Sequence, residues 1–404
     1  MTVLVTDGEQ RPALTIVRAL GRCGITVIVG ADRRSSLAAS SSHCARQVLY
    51  PSPYRDRDGF VRFLRSFVER ERIDVVLPVT DVTTHAVCSH QGDLSRHCRL
   101  AVPPLDAFEL VTNKARLLDH AARCGVPVPR THVVHGRDGL RSALDDVAYP
   151  AVVKPVQSRI DTGHGWVSGS AHYAENREDL ERLFDTHDYL ASYPALIQER
   201  IVGPGVGMFA LFDRGTLVAE FSHRRLREKP PAGGASVLSE SRPVDPRLRE
   251  YAIRMLAPHG WHGVAMMEYK QDRRTGECVL MEVNGRFWGS LELAVAAGVD
   301  FPFLAFQLAN GLRPAATPEY AAGLRNRWLL GDVDHLLLRL FRSADALDLP
   351  DDAPSALRTL VDFLTIVQPK LHYEVISGTD WRPFVTELRQ YVRALAPARM
   401  AVER

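Results

Sequence analysis

Two apolar segments, residues 264–270 and 278–284, flank a turn that carries Asp272 and Gly276, the pattern of an antiparallel β-hairpin. Side chains alternate between the faces of a strand, so Glu282 and Asn284, two residues apart, share one side. Glu268, on the facing strand, reaches that side across the ladder. Burying three oxygen-bearing side chains among Val, Met and Leu is costly unless they find partners. A hard cation such as Mg2+, which takes carboxylate, amide, water and phosphate oxygens, removes that cost. A solvent-facing strand edge with incidental carboxylates removes it too. Any fold for this chain has to set the hairpin around a ligand or against water.

The flanking residues bear on that choice. Arg286 lies two residues beyond Asn284 and stays on the same face if the chain remains extended. Its planar fork suits a phosphate, or else an ion pair with one of the two glutamates. Phe287-Trp288-Gly289 then leads into a helical segment, 291–297, with Ser290 at the N-cap position, so the positive end of that helix is expected at the same face. Upstream, Lys154 ends the apolar strand 149–155 and precedes a polar loop, 157–169, that holds Gly163, Gly165 and Gly169. Such a loop admits backbone amides to a ligand, although a solvated lysine and a flexible turn would read the same. A strand lysine, a glycine loop and an acidic hairpin in this order point to phosphate chemistry more strongly than any one of them.

The first hundred residues alternate strand-like segments (3–5, 25–29, 73–77, 100–102) with helical ones (11–23, 60–70), which implies a parallel sheet covered on both faces. The loop Asp7-Gly8-Glu9-Gln10-Arg11-Pro12 lacks Gly-x-Gly-x-x-Gly spacing, and Pro12 suits the first turn of a helix, so a structural α/β domain is expected there rather than a dinucleotide site. A helix from Lys114 to Arg123 is closed by Gly125, Pro127 and Pro129. Strands are expected at 195–201, 208–212 and 217–221 and a helix at 250–256. Residues 224–241, rich in Arg, Gly, Pro and Ser and without a period, read as a long functional or disordered loop. The chain divides at about 1–108, 109–312 (with a lid at about 130–200) and a mainly helical 313–404, whose apolar clusters suit core or homodimer contacts.

With 50 basic and 48 acidic residues among 404, the near-zero net charge argues against nucleic acid or an anionic membrane surface as partner. The first residues carry no basic leader, and no uncharged apolar run approaches the roughly 18 residues of a membrane span. Six cysteines without a Cys-x-x-Cys pair suit a reduced cytoplasm. The near pairs among the 15 histidines, such as His259 and His262, have no Cys or carboxylate at zinc-ligand spacing.

Lys114 on a helix, Val152-Val153-Lys154-Pro155, the glycine loop, Gln198-Glu199-Arg200-Ile201, Glu268 and Glu282-Val283-Asn284-Gly285-Arg286 follow the order of the ATP-grasp superfamily, which the chain resembles over roughly residues 3–309. Residues 281–290 and Gly298-Val299-Asp300-Phe301-Pro302 are most similar to carbamoyl-phosphate-synthase-like carboxylate–amine ligases. The resemblance implies an α/β chain: an N-terminal parallel-sheet pre-ATP-grasp domain, an ATP-grasp fold of two α+β subdomains, and a helical C-terminal extension. It implies that Lys114 and Lys154 contact the phosphates or adenine pocket of ATP beneath the loop of Gly163 and Gly165, and that Gln198, Glu199, Arg200 and Ile201 form the hinge that bonds adenine through its backbone. Glu268, Glu282 and Asn284 would hold Mg2+ or Mn2+, and Lys154 and Arg286 would meet the transferred phosphoryl group. Arg224, Arg225 and Arg227, with Gly233, Gly234 and Ser290, would receive a substrate carboxylate. The implied activity joins a small-molecule carboxylate to an amine through an acyl phosphate, releasing ADP and phosphate. Carboxylation, ligation on a carrier protein and a non-catalytic ATP-binding module are the alternatives. One departure stands out: an acidic residue commonly follows the hinge to bind ribose, and this chain has Gly203-Pro204-Gly205-Val206-Gly207 instead.

Overall fold

β-Branched and apolar side chains at residues 3–5 make the first strand the floor of a two-faced sheet. Val3 and Val5 pack with Leu14 and Val17 of the helix Arg11–Arg22, and Leu4 packs with Phe60 and Leu64 of the helix Arg57–Glu71 on the other side. The computed structural model describes residues 1–157, 159–161, 166–312, 319–350, 353–365 and 369–395. Strands β1 (Thr2–Val5), β2 (Thr26–Ala31), β3 (Cys44–Leu49), β4 (Val75–Leu77) and β5 (Arg99–Leu100) form a parallel sheet in the order β3-β2-β1-β4-β5. Strand β3, Cys-Ala-Arg-Gln-Val-Leu, is an edge strand whose mixed, part-exposed side chains gave no apolar run to read. Pro12 sits in the first turn of its helix. The loop before it is filled by its own residues, for the Asp7 carboxylate accepts from Thr6 Oγ1 at 2.6 Å and Thr83 Oγ1 at 2.5 Å.

A second, antiparallel sheet is built from β6 (Thr131–Val134), β7 (Ala151–Pro155), β10 (His172–Ala174) and β11 (Ala195–Glu199) in the order β10-β7-β11-β6. Two short strands, β8 (Arg159–Asp161) and β9 (Trp166–Ser168), pair beside it. Leu180 and Phe184 of the helix Arg177–Thr186 close one face against Val153 and Ile197.

The largest sheet runs β16-β15-β12-β13-β14-β17-β18, from β12 (Gly205–Asp213), β13 (Thr216–Lys229), β14 (Ala235–Arg242), β15 (Gly263–Gln271), β16 (Cys278–Asn284), β17 (Arg325–Arg327) and β18 (Leu371–Tyr373). Its pairs are antiparallel except β17–β18. Phe209, Leu211, Val264 and Met266 face the N-terminal helix Arg11–Arg22 and the helices Leu291–Ala297 and Phe301–Ala309 in one continuous core. Met208, Ala210, Phe212 and Met267 face the helix Pro246–Leu256. A slip of one residue would exchange these two apolar sets, and each buried Phe or Met contributes about 1.5–3 kcal/mol, so the register is strongly specified.

Residues 224–241 are not a loop. They form the end of β13 and most of β14, joined by a tight turn. The apolar alternation is missing because ion pairs flank this stretch: Arg224 with Glu240, Arg225 with Glu228, Arg227 with Asp332 and Lys229 with Asp334. The described residues beyond 312 are mainly helical but also supply β17 and β18 to the large sheet. No single helix among the described residues is long and apolar enough to cross a membrane, and none of the six cysteines is in a disulfide.

Candidate functional site

The β15–β16 register sets Glu268 opposite Glu282 and Met266 opposite Asn284, so the three oxygen-bearing side chains meet on one face. Asn284 Nδ2 donates to Glu282 Oε1 at 3.1 Å and to Glu268 Oε1 at 3.3 Å. The two carboxyls are driven apart electrostatically. Burial pushes Glu282 up, yet Lys114 and then Lys154 outweigh it and hold the group at about 2. Burial raises Glu268, and the guanidinium of Arg225, which donates to Glu268 Oε2, only partly opposes this.

Those cations come from separate elements. Lys154 is on β7, where it pairs across to Leu196 of β11. Burial and then the neighbouring Lys114 push its ammonium down to about 8, against the pull of Glu282 and Glu268. Lys114 is the first residue of the helix Lys114–Arg123, which Asn113 caps by accepting from Arg116 N at 3.1 Å. Its backbone N–H donates to Val156 O at 3.0 Å, tying the helix start to the end of β7, and its Nζ lies 3.4 Å from Glu282 Oε2. Arg286 does not pair with either glutamate. Its Nε lies 3.1 Å from Asp81 Oδ2, and its Nη2 donates to Asn284 Oδ1 at 3.0 Å. Asp81 opens the helix Asp81–Ser89 just past the C-terminal end of β4. The only sequence signal for it was its place after a strand of a doubly wound sheet, where ligand crevices form.

Asp81 apart, these groups line a cleft of about 450 Å³ between the second sheet and the large one. The segment 198–201 borders it. Gln198 Nε2 donates to Thr131 Oγ1 at 2.8 Å and Glu199 accepts from Arg130 N at 3.1 Å, so both side chains are committed to the second sheet. Arg200 pairs with Glu175 at 3.2 Å and lies over the Tyr173 ring. Of the three arginines expected together, only Arg225 lines the cleft. Arg224 is turned to Glu240 at 2.7 Å and Arg227 grips Asp332 through two bonds of 2.5 and 2.6 Å, because the bulged β13 sends neighbouring side chains to different sides. Gly233 and Gly234 lie on the rim in the β13–β14 turn, where a Cβ on Gly234 would lie 2.3 Å from Lys229 O. Ser290 occupies the N-cap position but makes no side-chain cap bond; its Oγ lies 3.5 Å from Nδ1 of buried His223. Gly163 and Gly165 lie outside the described residues.

The missing acid after the hinge has a local explanation. A Cβ on Gly205 would lie 2.9 Å from Arg225 Cδ and 3.1 Å from Glu228 Oε1, so the neighbouring strand already fills that space with a carboxylate. Glu228 went unnoticed in the sequence because it lies on the end of β13 that pairs with β14, at Ser236, and only the folded sheet brings it beside Gly205.

A second chamber of about 150 Å³ meets the cleft at Lys114, Glu282 and Asn284, and is lined further by Arg57, His85, Phe108 and Trp166. Among the described residues no three His, Cys, Asp or Glu side chains cluster to hold a metal. Glu268, Glu282 and Asn284 offer two carboxylates and an amide, an all-oxygen set that fits a hard cation whose remaining ligands are water or phosphate. As placed, the Asn284 amide nitrogen faces the carboxylates, so the amide must turn over to offer its oxygen.

Residues 194–331 match the model of a family described as "ATP-grasp in the biosynthetic pathway with Ter operon". The chain is 22% identical to the carbamoyl phosphate synthase large chain of Pseudarthrobacter chlorophenolicus over 84% of its own length, but spans only 29% of that protein. Its fold is similar to that of a biotin carboxylase from Campylobacter jejuni (TM-score 0.64, 16% identity, 80% of this chain and 74% of that one). It is similar also to an L-amino acid ligase from Bacillus licheniformis (TM-score 0.59, 19% identity, 78% of this chain and 75% of that one).

Proposed function

We propose, given that this chain carries the ATP-grasp fold, that it is an ATP-dependent ligase joining a small-molecule carboxylate to an amine. The observation that carries this reading is the convergence of Lys114, Lys154 and Arg286, from three different elements, on the wall of Glu268, Glu282 and Asn284. Plain nucleotide binding has no need of so many groups around the end of a phosphate chain. A second chamber meeting the cleft at the same wall supplies room for an acceptor beside the transferred group.

In this reading a substrate carboxylate oxygen bonds to the γ-phosphorus of ATP while the bond to the ADP oxygen breaks. The amine nitrogen then attacks the acyl carbon, phosphate departs with the C–O bonding pair, and the surplus amine proton passes to solvent. Lys154 and Arg286 offset the charge on the transferred group, and Lys114 keeps Glu282 ionised. A divalent cation held by Glu268, Glu282 and Asn284 would supply further charge neutralisation at the phosphates. Residues 198–201 would bond adenine through their main chain, and Glu228 would hold the ribose hydroxyls in place of a residue after the hinge. No side chain is needed as a covalent nucleophile.

The test is ADP release by the purified chain with ATP, Mg2+ and a panel of amino acids paired with other carboxylic acids. At least one pair is expected to raise release above the ATP-only level. Glu282→Gln should lower that rate about 100-fold with an unchanged circular dichroism spectrum. Undiminished turnover in Glu282→Gln would refute the wall assignment. ATP binding without turnover on any pair would leave a nucleotide-binding module.

A further inference from the structure

Three carboxylates compete for Arg286. Glu268 and Glu282 stand on its own sheet, and Asp81 approaches from the N-terminal one. The outcome is one-sided. Arg286 Nε lies 3.1 Å from Asp81 Oδ2, while Nη1 donates to Phe287 O at 2.9 Å and Nη2 to Asn284 Oδ1 at 3.0 Å. Burial works against the Arg286 charge, and Asp81, ahead of Glu282 and Glu268, more than restores it. A guanidinium carries five N–H groups in a fixed plane, so these contacts leave one N–H on each terminal nitrogen for a ligand.

Asp81 is held in place from behind. It opens the helix Asp81–Ser89, whose N-cap Thr80 forms a capping box with Thr83. The buried Asp7 carboxylate accepts from Thr80 N at 3.1 Å and from Thr83 Oγ1 at 2.5 Å, which ties that turn to the loop after β1. Asp81 is thus a fixed anion that the N-terminal sheet supplies to a residue of the large sheet. Its two rivals, Glu268 and Glu282, are the carboxylates that offer oxygens to a hard cation. An arginine that closed on either would fill the place of that cation and turn its fork away from a phosphate chain.

We propose that Asp81 is the positioning residue for Arg286. It holds the guanidinium off Glu268 and Glu282, leaving those carboxylates open to a divalent cation and the two remaining N–H groups turned to the transferred phosphoryl group. Asp81 acts through Arg286 alone, and the role rests on the ligase reading for the identity of that group. The same carboxylate also favours its own helix from the first turn, so a test has to separate positioning from stability.

Titration calorimetry on the full chain with two probes does so: ADP alone, and ADP with Mg2+ and aluminium fluoride, which mimics the phosphoryl group in transfer. Aluminium fluoride is expected to tighten ADP binding in the unaltered chain. Asp81→Asn should leave the affinity for ADP alone within about twofold and weaken the fluoride complex about 10- to 100-fold, as for one charge-assisted contact. Asp81→Ser, which keeps a short polar residue in the first turn, should behave alike, and Asp81→Glu should recover part of the loss. In an Arg286→Gln background Asp81→Asn should add nothing further. An undiminished fluoride complex in Asp81→Asn, additive losses in the double variant, or an equal fall for ADP alone would each overturn the role. Failure of the ligase reading looks different. Aluminium fluoride then tightens nothing in the unaltered chain, which overturns the phosphoryl-transfer assignment and this role together.

Discussion

Lys154 and Glu282 set each other's charge. The lysine, pushed to about 8 by burial and Lys114, is protonated at neutral pH and loses its charge as pH rises through that value. In the proposed reading its attraction for phosphate is therefore present below pH 8 and lost above it. The ATP dissociation constant should rise between pH 7 and pH 9, with a slope approaching about tenfold per pH unit at the alkaline end, as for linkage to one proton. Lys154→Arg should flatten the profile, because a guanidinium stays charged throughout. Calorimetric titrations at several pH values check this, and an unchanged slope in Lys154→Arg would remove the lysine from phosphate binding. At this scale the sequence was most legible where chemistry is local. Glu282 and Asn284 share a face by strand periodicity alone, and Glu268 follows from the turn. Asp81 and Glu228 were illegible, since Asp81 meets the site only through Arg286 and Glu228 only through the packing of a strand far away in the chain.

The β13–β14 hairpin shows why an element can hide. Strand periodicity is visible when one face is apolar, and from Arg224 to Lys229 both faces carry charge satisfied by residues on other elements. The short strands β17 and β18, three residues each, are hidden for a different reason: they carry too few positions for any period to show. The parallel N-terminal sheet was legible, its part-exposed edge strand β3 apart, because β1, β2 and β4 are buried on both faces. The hairpin has a functional corollary. In the proposed reading Glu228, whose Oε1 would lie 3.1 Å from a Cβ on Gly205, serves as the ribose-binding acid. Glu228→Ala should weaken ATP binding about tenfold, the loss of one charge-assisted hydrogen bond. It should leave the weaker binding of 2′,3′-dideoxy-ATP unchanged. Equal losses for the two nucleotides would show that Glu228 acts through Arg225 rather than on ribose.

Across the whole molecule, the N-terminal helix is held by the far end of the chain. Arg18 is buried and donates to Asp380 Oδ2 at 2.9 Å, Asp380 O at 2.8 Å and Val375 O at 2.9 Å, while Arg11 pairs with Glu374 at 2.7 Å. Arg18→Met would leave Asp380 and these carbonyls facing an apolar group, a loss of about 3–5 kcal/mol. The urea midpoint should fall accordingly, and limited proteolysis should cut first between residues 365 and 380; an unaltered midpoint would mean the contact carries no stability. Arg18 and Asp380 are 362 residues apart. At a synthesis rate of about 5–20 residues per second, tens of seconds separate their emergence from the ribosome. Through that interval the first helix has its sheet but lacks its final anchor, so the newborn chain holds an open flank that only residues 374–380 close.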